Sequence, residues 1–313
     1  MKKILSLDIG GSSIKYALID VNGDGIKAQS SPATRKLSTR NFEELEQHVI
    51  DIAYRNQNVE TIGISTTGSV DENGIVLNAG HFIGYSNIDW QKILSTYLKK
   101  NINVYVLNDG RASTRAEYQQ YVSSSQNFAH IVVGTGIGGA LVIDKRIVLG
   151  DAGLAGNIGH LVVTNEPTIE CSCSKQGCVE TLASTRGLVS HFVNLQSHSQ
   201  EKVQFNDIVC AAKNGDSQAL EAFKLGGFWL GRAISYVVNL INPSNITIGG
   251  GVLDATIQIQ AEVGYDPYFE SVLESIKKSS HRRPLSCVEL HRAKFGNNGG
   301  LLGAALHCWD ASK

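Results

Sequence analysis

Residues 153–180 read GLAGNIGHLVVTNEPTIECSCSKQGCVE and hold one histidine and three cysteines in a short span. The four residues are His160, Cys171, Cys173 and Cys178. Imidazole and thiolate are ligands that zinc prefers, and four of them complete a closed, tetrahedral structural site. Gly177 is available for a tight turn that requires a positive φ. Buried or redox-active thiols are the alternative. Because isolated thiols rarely cluster in this way, the spacing predicts a zinc knuckle over residues 160–178.

The sequence around the predicted zinc ligands carries a family resemblance. Residues 153–160 read Gly-x-x-Gly-x-Ile-Gly-His, and residues 171–180 read Cys-x-Cys-x4-Cys-x-Glu. Together they resemble the signature of the ROK family, which contains bacterial sugar kinases and sugar-responsive repressors. One position departs from that pattern, because Glu usually stands two residues before the Gly-His pair and this chain has Asn157 there.

Length and composition indicate a soluble globular protein with room for two domains. The chain has 313 residues, of which 42% are hydrophobic and 18% are charged. The formal net charge is −1, and the absence of long runs of like charge argues against a nucleic-acid or membrane-binding surface. The apolar run Ile4–Ile9 is only a strand long and contains Asp8, so it predicts neither a signal peptide nor a membrane span. Cysteines used as metal ligands indicate a reducing, cytoplasmic environment.

Two glycine hairpins recur along the chain. The first joins the predicted strands Lys3–Asp8 and Ile14–Asp20. The second, with the turn Gly134–Gly139, joins the predicted strands Ala129–Val133 and Ala140–Asp144. Their separation of roughly 125 residues indicates a duplicated domain plan. The strands and helices that alternate after each hairpin predict two α/β domains with a cleft between them.

The duplicated plan sets the predicted domain boundaries. Residues 1–122 and a C-terminal helix over 297–313 form the smaller predicted domain, and residues 123–296 form the larger one, which contains the zinc knuckle. The predicted helices include one from about Arg111 to Tyr121 and a long one over Ser217–Leu240. The ROK resemblance implies the two-domain actin and hexokinase fold, which is ribonuclease H-like.

Both glycine hairpins are candidates for binding phosphate. Glycines let backbone N–H groups approach a phosphate without a Cβ in the way, and Asp8 at a strand end suits water-mediated coordination of Mg²⁺. An ordinary tight turn is the alternative for either hairpin alone. The pair resembles the phosphate loops of the actin, hexokinase and heat-shock ATPase superfamily, to which the ROK kinases belong. This resemblance implies ATP and Mg²⁺ as cofactors, and it implies the phosphate-binding residues Asp8, Gly10, Gly11, Ser12, Lys15, Gly134, Thr135, Gly136 and Gly138.

A run of three glycines follows the predicted strand Asn245–Ile248. A plain left-handed turn is one interpretation of such a run. The ROK resemblance implies another, in which Gly249, Gly250 and Gly251 lie beside the adenosine of the nucleotide.

Asn108 and Asp109 stand at the end of the predicted strand Val104–Leu107. Ligand groups in open α/β sheets project from the carboxyl ends of strands. A carboxylate there can accept a proton from a hydroxyl group that attacks a γ-phosphate. An Asx turn that caps the following helix fits the same residues, and the residues themselves leave both interpretations open. The ROK resemblance implies that Asn108 and Asp109 are a sugar-binding and catalytic pair.

The resemblance runs along essentially the full length of the chain and implies an ATP-dependent sugar kinase that acts on the 6-hydroxyl of a hexose or N-acetylhexosamine. Asp109 would be the catalytic base. The implied sugar ligands are Asn108, Asp109, Asn157, His160 and Glu180. Relative to Glu, Asn157 keeps an acceptor, adds a donor and loses the charge, which suits a carbonyl-bearing substituent or an inverted hydroxyl better than the glucose pattern. The resemblance implies N-acetylmannosamine as the sugar. Glucose, or another hexose or β-glucoside, is the alternative substrate.

A sugar-responsive repressor is the alternative from another functional class. ROK repressors carry an additional N-terminal helix-turn-helix module, and we expect none here because Asp8 already begins the first glycine hairpin. The resemblance also implies a homodimer. The expected partners are therefore a sugar, ATP and a second copy of the chain.

Overall fold

The computed structural model describes residues 2–22, 25–28, 31–79, 82–166, 168–196 and 203–312. The chain divides into two units. The first contains Met1–Gln120, Ile147–Gly156 and Asn297–Lys313. The second contains Tyr121–Arg146 and Asn157–Gly296.

This division differs from the predicted domain boundaries at residues 121–122, which group with the second unit, and at residues 147–156, which group with the first. For residues 147–156 the physical reason is the guanidinium group of Arg111, which donates hydrogen bonds to the backbone carbonyls of Gly153 and Ala155. Arg111 and Gly153 are 42 residues apart, and neither belongs to a periodic pattern that joins them. Local sequence patterns therefore could not place this segment.

The first unit is built on a mixed sheet. Within the described residues, its strands are β1 (Lys2–Ile9), β2 (Ser13–Asn22), β3 (Gly25–Ala28), β4 (Ala33–Lys36), β5 (Thr61–Thr66) and β8 (Asn103–Asn108). A separate ribbon pairs β6 (Ser69–Val70) with β7 (Val76–Asn78). The sheet order is β3-β2-β1-β5-β8, with β4 beside β2. Because β1, β5 and β8 are parallel, their carboxyl ends align, and the register pairs Asp8 with Ser65 and Thr66 with Asn108.

Four helices belong to the first unit in its described part: α1 (Phe42–Arg55), α2 (Trp90–Leu98), α3 (Asp109–Tyr118) and α11 (Gly299–Asp310). The side chain of Asn41 accepts a hydrogen bond from the backbone N–H of Glu43 and so caps α1. Buried Leu45, Val49 and Ile52 recur at helical spacing along α1. They pack in one core with apolar side chains of β1 and β5. The apolar period of the sequence therefore sets the orientation of α1 about its own axis.

The second unit repeats the order of the first sheet. Its strands, where described, are β9 (Phe128–Val133), β10 (Ile137–Ile143), β11 (Arg146–Ile147), β12 (Asn245–Gly249) and β13 (Glu289–Arg292). The order is β11-β10-β9-β12-β13. Each sheet thus has an antiparallel hairpin followed by two parallel strands, since β12 is parallel to both β9 and β13. The two glycine hairpins predicted this duplicated plan.

The helices described in the second unit are α4 (Glu180–Ala183), α5 (Thr185–Leu195), α6 (Phe205–Lys213), α7 (Ser217–Ile241), α8 (Gly251–Val263), α9 (Pro267–Ser279) and α10 (Arg282–Leu285). The long predicted helix corresponds to α7. Its buried Phe223, Leu230 and Ile234 share one apolar core with β9 and β12. Because both faces of β9 and β12 are buried, the sequences of these two strands are nearly continuous hydrophobic runs.

One predicted helix starts elsewhere in the structure. Helix α3 begins at Asp109 rather than Arg111, because the side chain of Asn108 caps it. Helix α8 begins at Gly251, the last glycine of the run that follows the predicted strand Asn245–Ile248. In the described part of the chain, no helix combines the length and the apolar character that crossing a membrane requires.

Candidate active site and metal centre

The first glycine hairpin places Asp8 at the carboxyl end of β1. The hydroxyl of Ser65 donates to Oδ1 of Asp8 over 2.7 Å, and the N–H of Gly10 closes the turn on the carbonyl of Ser13 over 3.0 Å. A Cβ at Gly300, near the start of α11, would lie 2.5 Å from the same Oδ1, so this helix begins directly against Asp8. Burial raises the pKa of Asp8 above its ordinary value. A partly buried carboxylate oxygen at a strand end is chemically suited to a hard cation such as Mg²⁺.

Asn108 ends β8 and serves as the cap of α3. Its side-chain oxygen accepts hydrogen bonds from the N–H groups of Gly110 and Arg111, at 3.0 and 3.3 Å. Its amide nitrogen donates to the carbonyl of Gly68 and to Oδ1 of Asp109, each over 2.9 Å. The Asx-turn interpretation therefore describes the local structure, and it does not compete with the catalytic one. The cap holds Asp109 by one carboxylate oxygen, Oδ1.

The carboxyl group of Asp109 has a pKa above the ordinary value for aspartate. Its side chain reaches solvent, while protein atoms surround it on the other sides. Desolvation by these atoms, followed by the nearby charge of Asp8, raises the pKa of Asp109 from 3.8 to about 6. The group is therefore a stronger base than an ordinary aspartate and is still mostly ionised at neutral pH.

Arg111 is a residue that the sequence analysis did not single out. Its side chain is 7% exposed and donates to the carbonyls of Val70, Gly153 and Ala155. It thereby fixes the first turn of α3, which carries Asp109, to β6 and to residues 153–155. The sequence offered one indication of this role, which is the position of Arg111 two residues after the candidate base Asp109. Ser65, the donor to Asp8, could have been found as a polar residue at the end of a buried strand.

Replacement of Arg111 by Met should lower the free energy of unfolding by roughly 2–4 kcal/mol, because buried carbonyls lose their donor. Urea denaturation of the two proteins measures the change. Arg55→Met is the matched control, since Arg55 is 68% exposed and pairs with Asp51 on the surface of α1. We expect little change in the control. Equal midpoints for wild type and Arg111→Met would contradict the anchoring role.

The predicted zinc ligands converge in the second unit. The ligand atoms of His160, Cys171, Cys173 and Cys178 all lie within 4.8 Å of one another. Sγ of Cys171 is 3.4 Å from Nδ1 of His160, and Sγ of Cys173 is 3.6 Å from Sγ of Cys178. A tetrahedral zinc ion with ordinary bond lengths separates its ligand atoms by about 3.5–3.8 Å. The donor set and its spacing therefore fit zinc.

Backbone contacts shape the zinc knuckle. Gly177 adopts a φ of 78°, as its position in the sequence predicted, and its carbonyl accepts from the N–H of Val163 over 2.8 Å. The N–H groups of Cys171 and Ser174 bond the carbonyls of Lys175 and Cys171, each over 2.8 Å. These bonds bring the three thiols to one side of the loop.

The second glycine hairpin lies beside the zinc knuckle within the second unit. Its turn is closed by a 2.9 Å bond from the N–H of Gly134 to the carbonyl of Gly136. Oε2 of Glu180, two residues after Cys178, accepts the N–H of Ile137 over 3.0 Å. Gly250 packs against Val133, since a Cβ at Gly250 would be 2.5 Å from the Val133 carbonyl. The glycine run that ends β12 is therefore adjacent to the hairpin that ends β9.

Each of the remaining candidate residues belongs to one of the two units. Lys15 lies in β2 opposite Asp8 and donates to the carbonyl of Asn297 over 2.9 Å. Asn157 is exposed and immediately precedes the 3₁₀ turn Ile158–His160. In the first unit the candidates are Asp8, Gly10, Gly11, Ser12, Lys15, Asn108 and Asp109. In the second they are Gly134, Thr135, Gly136, Gly138, Asn157, His160, Glu180, Gly249, Gly250 and Gly251.

Two sheets that each begin with a glycine hairpin, in two successive units, define the two-domain, actin-like α/β class. Residues 4–310 match the ROK family, and the chain belongs to that family. The predicted family and fold class are therefore confirmed.

Individual relatives span nearly the whole chain. The chain is 29% identical to N-acetylmannosamine kinase of Haemophilus influenzae (strain PittGG), over 98% of this chain and 96% of the relative. It is 26% identical to glucokinase of Halalkalibacterium halodurans, over 96% and 92% of the two chains. The solved ROK hexokinase of Thermus thermophilus is 26% identical, covers 99% of both chains and superposes with a TM-score of 0.78.

Proposed function

We propose that this protein is an ATP- and Mg²⁺-dependent kinase that transfers the γ-phosphate to the 6-hydroxyl of N-acetylmannosamine. The broader class, sugar kinase, agrees with the relatives of both substrate types. The observation that carries the proposal is Asp109, a carboxylate at the carboxyl end of a parallel strand whose pKa is raised to about 6. A group with this pKa suits general base catalysis at neutral pH.

Asp109 would take the proton of the 6-hydroxyl as the hydroxyl oxygen attacks the γ-phosphorus. The bonds from Asn108 and Gly110 both reach Oδ1, so they fix the carboxylate. Oδ2 would then face the substrate. Phosphoryl transfer depends mainly on positioning, on charge neutralisation and on such a base. The cap on α3 supplies the positioning.

Backbone N–H groups of the two glycine hairpins would bind the phosphates. Added Cβ atoms at Gly11, Gly134 and Gly138 would meet no heavy atom within 4 Å, so the backbone there is open to a ligand. Asp8 would hold Mg²⁺ through water, and the ion would neutralise charge on the phosphates. Lys15 adds a positive charge opposite Asp8, and residues 249–251 would lie beside the adenosine.

The zinc knuckle would hold a structural zinc ion through His160, Cys171, Cys173 and Cys178. When bound, the ion fixes the tautomer and the angle of the imidazole. Nδ1 of His160 faces the thiol of Cys171, so Nε2 remains to contact the sugar. Glu180 and Asn157 would contact further ring substituents.

Asn157 supports the choice of N-acetylmannosamine within this class. Its carboxamide offers both a donor and an acceptor, which suits a carbonyl-bearing substituent better than the acceptor-only Glu typical of the family. Glucokinase activity is the second candidate, and the glucokinase relative supports it. A coupled assay of ADP release over a panel of hexoses and N-acetylhexosamines tests the proposal. Phosphorylation of none of them would refute the kinase function and would favour a sugar-responsive regulator.

Asn157→Glu should shift the ratio of kcat/KM for N-acetylmannosamine over glucose towards glucose by tenfold or more. The reason is that a mispaired buried polar group costs roughly 1–3 kcal/mol in the complex. Steady-state kinetics with both sugars measure this ratio, with Asn157→Gln as a control that keeps the amide chemistry. If wild type prefers glucose, or if Glu leaves the ratio unchanged, the N-acetylmannosamine assignment is wrong.

We also propose that the chain forms a homodimer, as its resemblance to the ROK kinases implies. Light scattering coupled to size exclusion measures the mass directly. A mass of 33.7 kDa, that of one chain, would contradict the dimer.

A further inference from the structure

Glu180 contacts the second glycine hairpin at the point where the hairpin turns. Oε2 accepts the N–H of Ile137 over 3.0 Å. The carboxylate also occupies the place that a side chain at Gly136 would take, since a Cβ there would lie 2.5 Å from Oε2. The hairpin therefore depends on Glu180 for one backbone hydrogen bond and depends on glycine at 136 to admit the carboxylate.

The zinc knuckle determines where Glu180 lies. Its neighbour Val179 donates to the carbonyl of Leu161 over 2.9 Å, and Oε1 of Glu180 lies 3.8 Å from Sγ of Cys171. The start of α5 contacts the hairpin again, because the N–H of Thr185 donates to the carbonyl of Gly134 over 2.9 Å. One side of the hairpin is thus supported by residues that flank the metal ligands.

The two oxygens of the Glu180 carboxylate face different neighbours. Oε2 is committed to the hairpin, and Oε1 points towards the zinc knuckle, where the sugar ligand His160 lies. We propose that Glu180 is a positioning residue for the second glycine hairpin and that it couples binding of the sugar to binding of the ATP phosphates. This inference rests on the proposed kinase function.

The coupling has a simple physical origin. A sugar hydroxyl that bonds Oε1 restrains the carboxylate in the rotamer that also holds Ile137. The nucleotide then binds a hairpin that is already ordered, so part of the ordering cost has been removed. Such linkage is reciprocal, and typical coupling factors are about 5- to 150-fold. We expect the sugar to lower the Kd of the nucleotide by at least about fivefold.

Calorimetric titration of the zinc-loaded protein with the Mg²⁺ complex of a non-hydrolysable ATP analogue measures this coupling. The titration is made without sugar and with saturating N-acetylmannosamine, or with whichever sugar the kinase assay identifies as the substrate. In Glu180→Ala we expect the coupling factor to fall to one and the Kd of the nucleotide without sugar to rise about tenfold, the typical effect of losing one charge-assisted hydrogen bond.

A double-mutant cycle separates positioning from a general structural role. Gly136→Ala places a methyl group where the carboxylate lies, so it should weaken nucleotide binding about as much as Glu180→Ala does. In the Glu180→Ala background the added methyl should have little further effect, because the carboxylate is already gone. Gly138→Ala is the matched control, since its Cβ meets no heavy atom within 4 Å. Its effect should be the same in both backgrounds.

Zinc content and the melting temperature of each variant show whether the knuckle is intact. Additive effects of Gly136→Ala and Glu180→Ala would overturn the inference, as would a coupling factor of one in a wild-type protein that phosphorylates sugar. A change in sugar affinity alone in Glu180→Ala would also overturn it. Absence of kinase activity towards the whole sugar panel would instead refute the proposed function itself.

Discussion

Asp109→Asn should lower kcat by roughly 10²- to 10⁴-fold, the range that general base catalysis supplies. The substitution keeps the shape of the side chain and both bonds to its Oδ1 position, from Asn108 and Gly110, remain sterically possible. It removes the group that accepts the proton of the 6-hydroxyl. The sugar KM should change much less, because the other proposed sugar ligands are untouched.

The control for this substitution is Asp89→Asn. Asp89 also lies at the start of a helix, where its side chain accepts the N–H of Lys92 at the beginning of α2. Asn is as good a cap as Asp, so turnover should stay near wild type. Near-normal turnover in Asp109→Asn as well would mean that Asp109 serves only to start α3 and that the base is another group.

The pH profile gives a second signature of the same residue. Only the ionised carboxylate of Asp109 can accept a proton, and its pKa is raised to about 6. In wild type, kcat/KM should therefore be constant above about pH 7 and fall as the pH drops through 6, with about a tenth of the base form left at pH 5. Asp8→Asn removes the nearby charge and should move this acid limb to lower pH. The limb should be absent from the residual activity of Asp109→Asn.

Sequence patterns predicted the parts of this fold that are local. The β-branched runs on either side of Gly10 and Gly134 fix the two hairpins, because each strand carries its own alternation and each turn its own glycines. The cluster of candidate zinc ligands was equally local, since His160, Cys171, Cys173 and Cys178 fall within residues 160–178 and Gly177 supplies the turn. A candidate site whose residues all lie within about twenty positions of one another can therefore be predicted from the sequence alone.

The parts that could not be predicted depend on contacts between distant residues. Glu180 bonds Ile137 across 43 residues, and Arg111 bonds Gly153 across 42. Neither pair leaves a periodic pattern in the sequence. The short strands β3 and β4 were also missed, because each has only four residues and their stability comes from pairing with β2. Contacts between residues far apart in the sequence determine these two hydrogen bonds, and pairing with β2 determines these two strands.

Loss of the zinc knuckle should have the largest effect on stability. We expect about one zinc ion per chain in freshly purified, reduced protein, measured by plasma mass spectrometry. Cys178→Ser removes a fully buried ligand at the centre of the knuckle and should release the metal. Structural zinc contributes on the order of 10 kcal/mol in small domains. If half of that stabilisation is lost, the melting temperature falls by about 10 °C or more, at about 2–4 °C per kcal/mol.

Cys210→Ser is the matched control for this experiment, because Cys210 is an exposed thiol on α6 outside the metal cluster. It should keep one zinc per chain and the wild-type melting temperature. Chelation of wild type should reproduce the effect of Cys178→Ser and should have no further effect on that variant, since both remove the same ion. Zinc-free protein that melts at the same temperature as the zinc-loaded form would show that the thiols pack without the metal. The three cysteines would then be the buried or redox-active thiols that the sequence also allowed.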